Sequence, residues 1–192
     1  MGLFFKGSGQ GASVIVTLLM LCLVAVASAG ETDRRRVEIS LSIFPRIVAV
    51  DNDFRAKLGA GRTARLLFVF DGDRANAQDL ADELMEKSAN IGGMRVVTAV
   101  ADVKQPLPRG GELPTAIFLT ERLSPAQLEV VMRYARDYHR LVFSPFSGDV
   151  ERGATVGISV TSRVKPYFNM AALRDTQVDI NAILLKVSAR YE

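Results

Sequence analysis

The stretch Arg65–Val100, "RLLFVFDGDRANAQDLADELMEKSANIGGMRVVTAV", decides the architecture. "RLLFVF" (65–70) is a short, nearly continuous apolar run that stops at Asp71-Gly72-Asp73, as a strand covered on both faces does. The next segment predicts a helix from about Arg74 to Asn90, since Ala77, Leu80, Ala81, Leu84 and Met85 form one apolar stripe. Asp73 is placed to cap its start, and Gly92-Gly93 to end it through a left-handed turn. "MRVVTAVA" (94–101) is a second strand. Strand, helix and strand in this order predict a βαβ unit of parallel strands.

Outward from this unit the alternation continues. A Pro- and Gly-rich loop leads to a third strand, "TAIFLT" (115–120). A helix over 124–138 follows, with Ser124 as N-cap, Pro125 at its first position and Gln127 completing a capping box. "LVFS" (141–144) is the fourth strand. The alternation then stops. "ATVGISV" (154–160) and "RVKPYF" (163–168), separated by two residues, predict a hairpin. A short helix capped by Asn169 and a last helix over Ile180–Ala189 complete the chain. The expectation is an α/β three-layer sandwich with a mostly parallel sheet and a C-terminal antiparallel hairpin edge. Residues 38–50 stay ambiguous. Val37, Ile39, Leu41 and Ile43 alternate as in a strand, Val37, Leu41, Phe44 and Val48 fit a helical stripe, and Pro45 burdens the helix.

The first 29 residues read as a secretory signal peptide: Lys6, an apolar run over Val14–Val24, and Ala27-Ser28-Ala29 as an A-x-A exit before Gly30. The run is short for a membrane span, though an uncleaved anchor is the alternative. Met20-Leu21 before Cys22 lacks the small residues of a lipidation site. Residues 30–36, with Arg34-Arg35-Arg36, read as a flexible basic leader, and 37–192 as a single domain. Cys22 is the one cysteine, so the exported chain has no thiol chemistry. The net charge of +3 falls to +2 without Lys6, with no basic face for nucleic acid.

No catalytic set emerges. The single histidine, His139, sits at a helix end, with no G-x-S-x-G elbow, no metal-ligand spacing and no phosphate loop to accompany it. Four strand ends should share one rim, where open α/β sheets place their ligands: Asp71-Gly72-Asp73, Asp102-Val103-Lys104, Thr120-Glu121-Arg122 and Ser144-Pro145-Phe146-Ser147. Asp71 and Asp73 have a carboxylate pair's potential for a cation or cationic ligand, beside the simpler reading of cap and turn. Asp71, Asp73, Thr120, Glu121, Arg122, Ser144, Phe146 and Ser147 are the candidate contacts with a ligand or partner; no cofactor, metal or catalytic residue is assigned.

The last fifty residues carry a resemblance. Gly153, Gly157, Arg163, Asn169, Ala172, Leu173, Leu184, Leu185 and Ser188 fall where the YfiR/HmsC-like family of bacterial periplasmic proteins has its pattern, and "FPRIVAVD" resembles that family's N-terminal helix. The resemblance implies a non-enzymatic periplasmic regulator that binds the periplasmic portion of a membrane signalling protein, such as a diguanylate cyclase. The chain lacks the cysteines that some members pair and has no tryptophan, so neither redox control nor partner identity follows. A small-molecule binding module serving a transporter or sensor is the other reading, and a homodimer is compatible with both.

Overall fold

The computed structural model describes residues 10–192, with side chains from Gly30 onward, so the expected signal peptide lies outside the residues whose side chains are described. The chain divides into two compact units, Met1–Arg35 and Arg36–Glu192. The elements are α1 (Gln10–Ala49), β1 (Ala64–Phe70), α2 (Arg74–Lys87), β2 (Asn90–Ile91), β3 (Met94–Asp102), β4 (Ala116–Leu119), α3 (Pro125–Tyr138), β5 (Leu141–Phe143), β6 (Val156–Val160), β7 (Val164–Asn169), α4 (Met170–Thr176), α5 (Ala182–Val187) and β8 (Ala189–Tyr191). Among the described residues no helix is long and apolar enough to cross a membrane.

Residues 38–50 are helical, and the reason is burial. Val37, Leu41, Phe44 and Val48 all face the core, with Ile47 beside them. Pro45 sits inside the helix, and the apolar stripe outweighs the lost backbone bond. The segment 30–36, expected as a flexible leader, is also helical. Its last residue is anchored: Arg36 Nε donates to Pro145 O (2.7 Å) and Nη2 to Ile158 O (2.8 Å).

One sheet of eight strands runs in the order β2-β3-β1-β4-β5-β6-β7-β8. β3, β1, β4, β5 and β6 are parallel, while β2 and β7 run against their neighbours β3 and β6. The hairpin of β6 and β7 forms as the sequence predicts, and β8 adds a parallel strand outside it. The expected last helix is therefore shorter, because Ala189–Tyr191 pairs with β7 instead of continuing the turn. The helix of the first βαβ unit likewise stops early, at Lys87. Gly92 and Gly93 (φ 55° and 80°) do not cap it. Both lie in the left-handed region and make the tight turn between β2 and β3, as a type I′ hairpin requires.

The core has two faces. Register aligns Phe68, Phe118 and Phe143 on one of them. Phe44 of α1 packs on this row, its ring 5.3 Å from Phe118 and 5.6 Å from Phe143. Lys87, at the end of α2, lies in the field of Glu38 on α1, so the two helices share this face. Leu67, Val69, Ile117, Leu119 and Val142 fill the opposite face, fully buried. Right-handed crossovers leaving β1 and β4 in opposite directions put α3 there, and α4 packs against it. The connection 103–115 is tied to the same side by Tyr134, whose hydroxyl donates to Pro108 O (2.5 Å). Burial pushes the Tyr134 phenol up to about 12.

Candidate functional site

The four strand ends meet at the carboxyl edge of the sheet, through contacts made by side chains. Asp73 Oδ1 accepts from Asn76 N (2.9 Å), the N-cap of α2. Glu121 Oε1 reaches across from the end of β4 and accepts from Asp73 N (2.7 Å), with Gly72 N also donating to this carboxylate. Asp71 accepts from Gln127 Nε2 (2.6 Å) and pairs with Lys104 Nζ (2.9 Å), which also donates to Asp71 O. The hydrogen bond from Lys104 holds the Asp71 carboxyl below the ordinary aspartate value, with burial opposing, and Gln127 adds to the lowering. The two aspartates thus serve turn, cap and ion pair. Among the described residues no cluster of His, Cys, Asp and Glu is placed to hold a metal.

On the other half of the rim, Arg122 Nη1 donates to Ser147 O (2.8 Å) and its guanidinium lies 5.4 Å from the centre of the Phe146 ring. Two of the candidate residues turn inward. Thr120 is buried and donates to Val69 O (3.0 Å). Ser144 is buried, donates to Asp149 Oδ2 (2.6 Å) and accepts from Phe146 N (3.3 Å). Their hydroxyls hold the rim together and do not reach its surface.

Phe146 and Ser147 open onto a groove of about 190 Å³ between the loop 144–153 and the ends of β6 and β7. Arg36, Glu151, Ser159 and Tyr167 line it too. Burial raises the Tyr167 phenol above its ordinary value, and its hydrogen bond with Glu151 adds to the rise. The loop is built around Asp149, fully buried, which takes Ser144 on one carboxylate oxygen and Arg152 on the other. Asn169 ties it to β7 and α4, donating to Val150 O (2.7 Å) and accepting from Ala172 N (2.8 Å). Gly157 lets β6 pass beneath, since a Cβ there would stand 2.6 Å from Ser144 O.

Arg36 and Tyr167 were not legible as site residues, because each is brought in by another element, and Glu151, four residues after Ser147, carries no motif that marks it. His139 is where the sequence puts it, at the end of α3, in a left-handed conformation (φ 55°), with Nδ1 3.2 Å from Thr176 O.

No family model matches the chain, and no curated protein matches it. Solved structures with a similar trace include a conserved domain protein from Vibrio cholerae (17% identity, TM-score 0.48, covering 71% of this chain and 57% of that one). A substrate binding protein with adhesive properties from Clostridium difficile, in its ligand-free, open form, is similar at 14% identity and a TM-score of 0.49, covering 74% of this chain and 60% of that one. An ABC domain from Streptococcus pneumonia in complex with L-Trp follows at 11% and 0.45, covering 75% and 61%. The chain spans less than two thirds of each of these proteins. Likeness this low speaks to no ligand, partner or site.

Proposed function

We propose that the protein is a non-enzymatic binding module of the periplasm, taking a small polar molecule in the groove at the carboxyl edge of its sheet. One observation carries the reading: Arg36, Ser147, Glu151 and Tyr167 bring a cation, a hydroxyl, a carboxylate and a phenol to one concave site beside the apolar Phe146. This is the composition of a recognition site, where a few polar groups orient a ligand against an apolar wall, and its volume suits a ligand smaller than the usual occupant of such sites. The site sits where β5 and β6 end, the position that open α/β sheets use for ligands. A thermal-shift screen of the full chain against metabolite pools tests it. A ligand at 100 times its Kd adds about 2.7 kcal/mol of stability. Ser147→Trp, which fills the groove, should abolish that shift; no shift with any pool overturns the reading.

A second reading has its own support: regulation of a membrane signalling protein, as the YfiR-like resemblance implies. Val160 and Val164 at the hairpin tip, Ile183 and Val187 on α5 and Tyr191 on β8 are exposed apolar side chains at one end of the sheet. Co-purification of a membrane cyclase or kinase with the full chain, lost on Ile183→Asp with Val187→Asp, supports this reading. Recovery of the protein alone after crosslinking counts against it.

A further inference from the structure

At the opposite, amino edge of the sheet is a second cavity, of about 440 Å³, walled by the segments 56–60 and 110–113 and by Arg140. Its size lies within the range of about 300–1,000 Å³ usual for small-molecule sites. Arg140 follows the left-handed residue that ends α3 and directly precedes β5. Its Nε is buried and has no hydrogen-bond partner. The two groups whose charge it feels are already engaged. Asp51 accepts from Lys57 Nζ (2.5 Å) with one carboxylate oxygen and from Asp53 N (3.0 Å) with the other, and the Tyr134 hydroxyl donates to Pro108 O.

A second arginine stands in the same state. Leu66, Ala116 and Leu141 are aligned across β1, β4 and β5, so the residues before them, Arg65, Thr115 and Arg140, form the next row on one face. Two strand spacings separate the arginines by about 10 Å. Arg65 Nε is also buried without a hydrogen-bond partner. Thr115 between them is committed to the backbone, accepting from Arg65 N (3.1 Å) and donating to Lys57 O (3.0 Å). Leaving a buried donor unsatisfied is costly to a fold. Arg140, with one such donor, lines the open cavity and is complementary to an oxyanion, which a guanidinium takes in a bidentate grip, and Arg65 stands two strands away in the same row. Gly110 and Gly111 line the cavity too, and a Cβ at either would meet nothing within 4 Å.

We propose that this amino-edge cavity binds the carboxylate or phosphate group of a small organic anion, held by Arg140 with Arg65 alongside. The site shares no residue with the carboxyl-edge groove, so either one stands if the other fails. Inorganic phosphate and acetate are the probes. Each is titrated into the full ¹⁵N-labelled chain at constant ionic strength, reading the arginine Nε–H signals and the amides of Gly110 and Gly111. The expected result is a saturable shift at these four positions with one probe or both, the tighter probe naming the class of anion. Arg140→Met should weaken the affinity on the order of tenfold or more, as loss of a hydrogen bond to a charged group does. Gly111→Val keeps the fold, since its side chain enters empty space, and should weaken binding by filling the cavity. No saturable shift with either probe, or an affinity unchanged in Arg140→Met or, should that variant not fold, in Gly111→Val, overturns the proposal.

Discussion

The two edges of the parallel sheet treat their charged residues in opposite ways. At the carboxyl edge Asp71, Asp73, Glu121 and Gln127 bond one another or the backbone of the adjacent turn, and Lys104 and Arg122 close the gaps between strand ends. At the amino edge Lys57 and Asp51 form a tight buried pair, while Arg65 and Arg140 are left with buried Nε groups that bond nothing. The difference teaches that a charged rim is not by itself a binding surface. Where polar groups satisfy one another, as at the ends of β1 and β4, they build the fold, and an unsatisfied donor on a cavity wall is a separate sign of a ligand.

The sharpest way to break the comparison is at the pair that organises the amino edge. Asp51→Ala strands the Lys57 ammonium in the interior, with both side chains about 5% exposed, and should cost about 3–5 kcal/mol. Urea unfolding of the full chain measures it, and a cost below about 1 kcal/mol would mean that water reaches Lys57. The carboxyl edge has its own critical point at Gly157. Its Cβ would press on Ser144 O and on Val150 Cγ2, 2.8 Å away, so Gly157→Ala must displace the loop 144–153 and should cost about 1–3 kcal/mol. The same variant should alter the groove, because Val150 lines it. Smaller again is the loss at Ser124, whose hydroxyl accepts from Gln127 N while Gln127 Oε1 accepts from Ser124 N. Ser124→Ala should cost about 1 kcal/mol. Since Gln127 also holds Asp71, that change should be felt at the end of β1 as well, as shifted amide signals at Gly72 and Asp73.

How far the chain could be read before it was seen follows the range of the forces involved. The first βαβ unit, the capping box of α3 and the β6–β7 hairpin were legible, because each depends on residues within a few positions of one another. The stripe of α1 was not decidable from pattern, since Phe44 becomes a helix residue through Phe118 and Phe143, far along the chain. The turn at Gly92-Gly93 departs from the expected helix end for a related reason. Left-handed glycines close helices and hairpins alike, and only the pairing of Asn90–Ile91 with Met94–Arg95 decides between them. The rim was legible as a place, from the rule that strand ends gather, and the inward turn of Thr120 and Ser144 was not. The row of Arg65, Thr115 and Arg140 depends on register across three strands, which one sequence does not reveal.

The smallest effect expected is at the exposed pair of the carboxyl edge, and it is the most discriminating. Lys104 donates to Asp71 from the surface, where ion pairs contribute little to stability. Lys104→Met should leave the urea midpoint within error at neutral pH. The titration of Asp71 should move instead. In the folded protein its carboxyl is held below the ordinary value, first by the hydrogen bond from Lys104, so between the lowered and the ordinary value the unfolded chain binds more protons. The contribution of Asp71 to folding is therefore complete above the ordinary aspartate value and is lost as pH falls through the lowered one. Removing Lys104 should raise the Asp71 midpoint, read from its side-chain carboxyl carbon by NMR, and shrink this acid-side loss. Gln127 should keep part of the lowering. If the midpoint does not move, the rim is not the self-satisfied network that sets it apart from the amino edge, and Asp71 returns as a group open to a ligand.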